Sequence, residues 1–285
     1  MQSAQFKDLD LFFSESGEGP PCLVMHGGLG YDHSYLSPGL DVLGDRLHLI
    51  YYDHRCNGRS GRQPLETLTF AQMADDADTL RAQLGHGTVS VIAHSTTGCA
   101  VALEYALRHP QRLAHLILMC AAPRFNPADP ALGERLACKG MTPEMAEAFA
   151  RAGKSDAAFR HYAEIAGPLY HHAYDDERYR HQIGRIVYNA AAMARSFELA
   201  ATWNIVDRLA AIAAPTLLIG GASDPFSPPE DSALLQRGIP GAELVILDRS
   251  GHFPWMEQPE EFAAAIKAWL LRSGHFTAAN RGGAK

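Results

Sequence analysis

Val89-Ser-Val-Ile-Ala-His-Ser95-Thr-Thr-Gly98 is the stretch on which the reading of this chain turns. Val89 to Ala93 is an apolar run broken only by Ser90, which predicts a strand buried on both faces. From Ala100 to Leu107 the residues continue as a helix. Ser95 therefore stands at a strand-to-helix junction. A tight turn there lifts a hydroxyl above a sheet, where a base can reach it, and it needs small neighbours because the turn is strained. A serine hydroxyl is a poor nucleophile until such a base takes its proton. The other common role of serine at this position is to cap the helix.

Working outward, strands and helices alternate. Leu23 to Met25, Leu47 to Tyr52, Leu116 to Met119, Thr216 to Ile219 and Leu244 to Leu247 read as strands. Phe70 to Leu84 carries Met73, Ala77, Leu80 and Leu84 on one helical face, and Phe262 to Leu271 is an amphipathic closing helix. Gln5 to Glu15 reads as an antiparallel opening strand or hairpin. Continuous apolar strands alternating with helices predict an α/β fold, a parallel sheet covered on both faces. Between residues 123 and 204 the rhythm breaks. Pro-rich turns give way to helical segments such as Thr142 to Ala152 and Ile183 to Ala201, with no strand. Such an insertion is expected to cap the sheet's C-terminal edge, where open α/β sheets bind ligands. The division expected is a core of residues 1–122 and 205–271, a cap of 123–204 and a mobile tail of 272–285.

Composition narrows the function. The net charge of −7 and the absence of a Lys/Arg cluster exclude a phosphate-binding surface, so nucleic acid is not an expected partner. No apolar run approaches the roughly 18 residues of a membrane span. The N-terminus lacks a basic segment followed by an apolar stretch, so no signal peptide is expected. The cysteines, at 22, 56, 99, 120 and 138, fit no metal framework; a reducing, cytoplasmic setting is expected.

Two further segments supply partners for Ser95. His252 follows the strand Leu244 to Leu247, in a loop that can swing imidazole over the sheet edge as base. Asp224, just past the strand Thr216 to Ile219, would accept the imidazole N–H and stabilise imidazolium. Asp231 and Asp248 compete for that role; Asp231 reads instead as a first-turn helix carboxylate and Asp248 ends its own strand. His26-Gly-Gly-Leu-Gly30 follows the first parallel strand, and its glycines free backbone N–H groups to point at a carbonyl oxygen. Gly28, with Leu29 as the neighbouring alternative, and Thr96, at a helix start, are the expected oxyanion donors. Leu29, Phe226, Phe253 and Trp255 are candidate substrate contacts.

With these residues in view the chain resembles the α/β-hydrolase superfamily from about Phe6 to Leu271. The order Ser95, Asp224, His252 is that superfamily's order, and other serine-hydrolase folds place the groups differently. His26-Gly-Gly-Leu-Gly30, Asp53-His-Arg-Cys-Asn-Gly-Arg-Ser60 and Ser250-Gly-His252-Phe-Pro254 are similar to the proline iminopeptidase-like branch, which holds aminopeptidases, esterases and lactonases. The resemblance implies an eight-stranded, mostly parallel sheet, a helical cap, and nucleophile, acid and base at Ser95, Asp224 and His252. The chain departs from iminopeptidases at Leu29, His54 and Cys56, and Thr97 stands where the nucleophile turn has glycine. An aminopeptidase also needs cap carboxylates to hold an ammonium group, for which Glu164, Asp175, Asp176 and Glu177 are available. An Asp53–Arg55 pair is expected to brace loops, and Cys56 to be structural. His161, His171, His172 and His181 crowd the cap without zinc spacing and are candidates for the pocket wall. The expectation is a serine hydrolase needing no cofactor and no metal, cleaving a small ester or lactone; the alternatives are a proline iminopeptidase and a ligand receptor with weak turnover.

Overall fold

The computed structural model describes residues 2–6, 9–126 and 128–274. Eight strands form one sheet: β1 (Gln2–Phe6), β2 (Leu9–Ser16), β3 (Pro21–Met25), β4 (His48–Tyr52), β5 (Val89–His94), β6 (Leu113–Met119), β7 (Thr216–Gly221) and β8 (Glu243–Leu247). Their order is β1-β2-β4-β3-β5-β6-β7-β8. β2 runs antiparallel to β1 and β4, and every other pair is parallel. The expected opening hairpin is the β1–β2 pair.

The continuous apolar runs have a simple cause. Alternate residues of each central strand face opposite layers. Val24, Tyr51, Ile92, Ile117 and Ile219 enter one core, and Leu23, Ile50, Val91, Leu118 and Leu218 enter the other. Helices α1 (Phe70–Gln83) and α2 (Ser95–Arg108) cover the second layer, burying Met73, Ala77 and Leu80 from α1. Thr69 starts α1 by accepting the Gln72 N–H at 3.1 Å.

Between β6 and β7 the chain makes α3 (Pro130–Cys138), α4 (Pro143–Ala152), α5 (Asp156–Tyr170), α6 (Asp176–Ile183) and α7 (Ala190–Thr202). The expected helix from Ile183 to Ala201 is two elements. α6 ends at Gly184, and Asn189 caps α7 by accepting from the Ala191 and Ala192 amides. The excursion leaves and returns at one place: Arg124 pairs with Asn204, and the Ile205 N–H donates to the Pro123 carbonyl at 3.0 Å. α8 (Pro229–Gly238) and α9 (Pro259–Arg272) finish the layers, with Phe262, Ile266 and Trp269 of α9 in the first core. The tail expected from 272 therefore begins as helix, and residues 275–285 lie outside the described residues. No helix among the described residues is long and apolar enough to cross a membrane.

Candidate active site

β5 ends at His94 and α2 begins at Ser95, whose φ is +65°. A side-chain-bearing residue in the left-handed region is strained, and such strain gathers at functional turns. The turn presses on the loop after β3: a Cβ at Gly27 would lie 2.4 Å from the Ser95 Cβ and from the His94 carbonyl oxygen. The Thr97 question resolves at the next residue. The close approach of α2 to that loop falls on Gly98, where a Cβ would lie 2.6 Å from the His26 carbonyl oxygen. Thr97 is half-buried and lines the cavity beside Ser95, its Oγ1 buried without a hydrogen-bond partner among the described residues.

Asp224 follows β7 and is buried, its Oδ1 accepting the Phe226 and Ser227 amides at 2.9 and 3.3 Å. That local turn aims Oδ2 at His252 Nδ1, 2.7 Å away. His252, also buried, follows β8, and its own N–H donates to the Tyr170 carbonyl at the end of α5 at 2.7 Å. Ser227 Oγ lies 3.3 Å from Thr96 Oγ1, tying the acid loop to the start of α2. The competing carboxylates lie elsewhere. Asp231 sits in the first turn of α8, where burial pushes its carboxyl up to about 6, and Asp248 is exposed beside Arg249.

The loop His26–Gly30 supplies amides beside Ser95. Gly27 N–H donates to Tyr35 Oη at 2.8 Å, Gly30 N–H to Asn57 Oδ1, and Tyr31 N–H to the Gly28 carbonyl at 2.8 Å. The Gly28 and Leu29 amides have no acceptor among the described residues. Gly28 has φ +52°. Thr96 is the second residue of α2, so its N–H has no carbonyl four residues back within the helix.

Buried polar contacts hold this loop. His54 N–H donates to His26 Nε2 at 3.1 Å, and His54 Nε2 lies 3.2 Å from the His26 carbonyl oxygen. Burial keeps both imidazoles below the usual histidine range. Asp53 and Arg55 are not paired with each other, contrary to expectation. Asp53 accepts from the His33 amide, from His33 Nδ1 at 2.6 Å and from the Arg59 amide, while Arg55 grips Asp76 with two bonds of 2.5 Å. His54 alone separates them, yet their partners lie on different elements: His33 and Arg59 for Asp53, and Asp76 of α1 for Arg55. Burial would raise the Asp53 carboxyl, but the His33 contact and the nearby His26 hold it below the usual range. Cys56 is buried with its thiol on the Gln63 carbonyl, and burial raises its pKa.

Ser95, Thr96 and His252 open on one cavity of about 330 Å³ beneath α3 to α7. Its wall is mainly apolar and carries several aromatic rings, among them Phe125, Phe149, Phe159, Tyr170 and Phe197. Of the expected substrate contacts, Leu29, Phe226 and Phe253 line it. Trp255 does not. The turn Pro254–Glu257 directs it beneath the site, where it is buried with its ring edge-on to His94 at 4.7 Å. None of His161, His171, His172 and His181 lines the cavity either: His171 turns back to the Gly167 carbonyl, and His172 faces Ser223. The acids Glu164, Asp175, Asp176 and Glu177 are likewise absent from its wall. Asp175 caps α6, and Asp176 is taken by Arg180 and Tyr174. Asp129, the carboxylate that does line it, caps α3 through the Ala131 amide.

His94, Cys120 and His252 bring ligand-type atoms within 4.8 Å of one another. Both His94 nitrogens and His252 Nδ1 already have hydrogen-bond partners, and burial holds Cys120 as a thiol. A metal there would have to displace one of the two hydrogen bonds of His94. His94 and Tyr35 were not singled out by the sequence. His94's position directly before Ser95 is the only signal that points to it.

The sequence profile of the α/β hydrolase fold matches residues 20–259. A protein of Rhizobium rhizogenes named as a carbamate hydrolase, RutD, is 31% identical over 87% of this chain and 92% of its own length. The proline iminopeptidase PfmaB of Pestalotiopsis fici is 28% identical over 89% and 92%. Among solved structures, a thermophilic esterase from Thermogutta terrifontis superposes with a TM-score of 0.69 at 27% identity, covering 96% of this chain and 99% of the esterase.

Proposed function

This chain belongs to the α/β hydrolase family, and from that premise we propose that it is a serine hydrolase cleaving esters or lactones of apolar acids. Ser95 Oγ attacks the carbonyl carbon while His252 Nε2 takes its proton. Asp224 holds the imidazole in the tautomer that leaves Nε2 free and stabilises the cation. The Thr96 amide and that of Gly28 or Leu29 hold the oxyanion, each donor contributing roughly 3 kcal/mol to the transition state. His252 then protonates the leaving alcohol, and water, activated by the same base, releases the acid from Ser95. No step needs a cofactor.

The observation that carries the substrate class is the apolar cavity opening on Ser95. Its wall suits an apolar acyl or ring system, since each buried CH₂ contributes about 0.8 kcal/mol. An N-terminal proline would need a free carboxylate for its ammonium group, and the acids available for that role lie off the wall or are spent as helix caps. A small polar carbamate would leave most of the apolar wall uncovered. The receptor alternative draws on crowding at Thr97, whereas the close approach of α2 to the loop falls on Gly98 and Thr97 lines the cavity. Residues 123–204 act as the cap that walls the site, and unpaired cysteines at all five positions fit a reducing cytoplasm.

The test is turnover of short and medium p-nitrophenyl esters, an acyl-homoserine lactone and a proline arylamide by wild type and Ser95→Ala. Ester or lactone turnover, rising with acyl length and lost in Ser95→Ala, is expected. Turnover of the proline arylamide alone would establish the peptidase instead. A Ser95→Ala variant as active as wild type would overturn the nucleophile.

A further inference from the structure

Three buried hydrogen bonds outside the Asp224–His252 pair connect the loops around Ser95. Gly27 N–H donates to Tyr35 Oη at 2.8 Å, Tyr35 Oη lies 2.8 Å from His94 Nδ1, and His94 Nε2 lies 2.9 Å from the His252 carbonyl oxygen. Their direction is fixed from the ends. An amide only donates and a carbonyl only accepts, so His94 carries its proton on Nε2. Burial holds His94 well below the usual histidine range, which leaves Nδ1 as a bare acceptor for the Tyr35 hydroxyl proton. Every donor and acceptor in the chain is thereby matched once.

The loops joined are the ones the reaction uses. Gly27 precedes the oxyanion amides, His94 precedes Ser95, and His252 is the base. Tyr35 belongs to the short turn His33–Tyr35, which follows the oxyanion loop. The rings are clamped: Trp255 and Phe253 stand 4.7 and 5.8 Å from His94, and the His252 ring 4.7 Å. The Tyr35 carbonyl also accepts from Gln182 Nε2 of α6 at 3.0 Å, which anchors the turn to the helices above the cavity.

We infer that Tyr35 and His94 are positioning residues, forming a proton-ordered relay that holds the oxyanion loop, the Ser95 turn and the His252 loop in mutual register. The inference rests on the serine-hydrolase reading above. Neither residue touches the reacting atoms. Removing the Tyr35 hydroxyl frees the Gly27 peptide plane, and with it the aim of the next amide. Removing the His94 N–H frees the backbone of the base.

Tyr35→Phe, His94→Asn, His94→Gln, the double variant Tyr35→Phe/His94→Asn and Ser95→Ala are assayed on one p-nitrophenyl ester, each with a melting curve. Asn keeps an acceptor near Nδ1, and Gln keeps a donor near Nε2. Since a misplacement of about 1 Å costs up to about a hundredfold, Tyr35→Phe and His94→Asn are expected to lower kcat at least about tenfold. KM should change less than about threefold, because the loss falls on the transition state. His94→Gln should recover a large part of the loss by restoring the bond to the His252 carbonyl. The double variant should lose less than the product of the single losses, because both cut one chain. Losses that multiply, losses confined to KM, or lowered melting temperatures with kcat intact would each overturn the relay. Ser95→Ala separates the two levels. If it abolishes turnover while the relay variants keep wild-type kcat, only the relay fails; if it remains active, the serine-hydrolase reading fails.

Discussion

At Thr97 a rule read from sequence meets its physical reason. The turn pattern asks for glycine two residues after the nucleophile, yet the contact that forbids a side chain here falls on Gly98, one residue later. Asp231 shows the reverse, a residue that looked ordinary and is not. As a first-turn carboxylate it should be comfortable, but burial outweighs the help of Arg135 and Arg124 and pushes it from 3.8 to about 6. The folded state then binds the Asp231 proton more tightly than the unfolded chain does. Its stability cost is absent below roughly pH 4 and complete above roughly pH 6, the two ends of the shift. Asp231→Asn is therefore expected to raise the melting temperature at about pH 8 and to leave it unchanged at about pH 4. A melting temperature equally raised at both pH values would show that burial of the charge is not the cause.

The central element is β5–Ser95–α2 pressed against the loop that follows β3. Gly27 is the tightest point, with no room for a Cβ between the His94 carbonyl and the Ser95 side chain. Gly27→Ala must push the turn away from the loop. The expected cost is about 1–3 kcal/mol by denaturant unfolding, with a fall in kcat because the oxyanion amides move with the loop. Full stability and full kcat in Gly27→Ala would mean the two segments can part without consequence. Element boundaries were less legible than element identities. Ile183 to Ala201 reads as one helix because the Ala-rich run from Ala190 to Ala201 is extended back over Ile183 to Asn189, which holds no alanine. The break is made by Gly184, which ends α6, and by Asn189, whose side chain starts α7.

Across the whole molecule, the segment 123–204 is laced to the loops at the sheet's edge. Asn189 N–H donates to the Gly30 carbonyl at 2.7 Å and Asn189 Nδ2 to the Cys56 carbonyl at 2.5 Å. Val187 N–H donates to the buried Asp32 at 3.0 Å. One side chain thus caps α7 and ties it to the core. Asn189→Ala should cost about 1 kcal/mol for the lost cap, and more for the Cys56 carbonyl left buried. It should also raise KM for long acyl esters, since α7 carries Met193 and Phe197 of the cavity wall. Lowered stability with unchanged KM would show that the helices hold their place without this tie.

The sequence by itself determined the sheet and set a serine, a histidine and a short list of carboxylates after its strands. Apolar runs with β-branched residues can satisfy a two-sided core in only one way, and a serine, an aspartate and a histidine each follow a strand at the same edge. That is local information, carried by period and by neighbours along the chain. Only the tertiary structure decided which carboxylate faces His252, that Asp53 and Arg55 take separate partners, and that Trp255 lies beneath the site while Phe226 and Phe253 line it. It also brought Tyr35 to His94. These pairings join residues tens to more than a hundred positions apart, through donors and acceptors that recur throughout the chain. The choice among them is made by distance and burial once the core has closed, and neither quantity is written in a residue's neighbours.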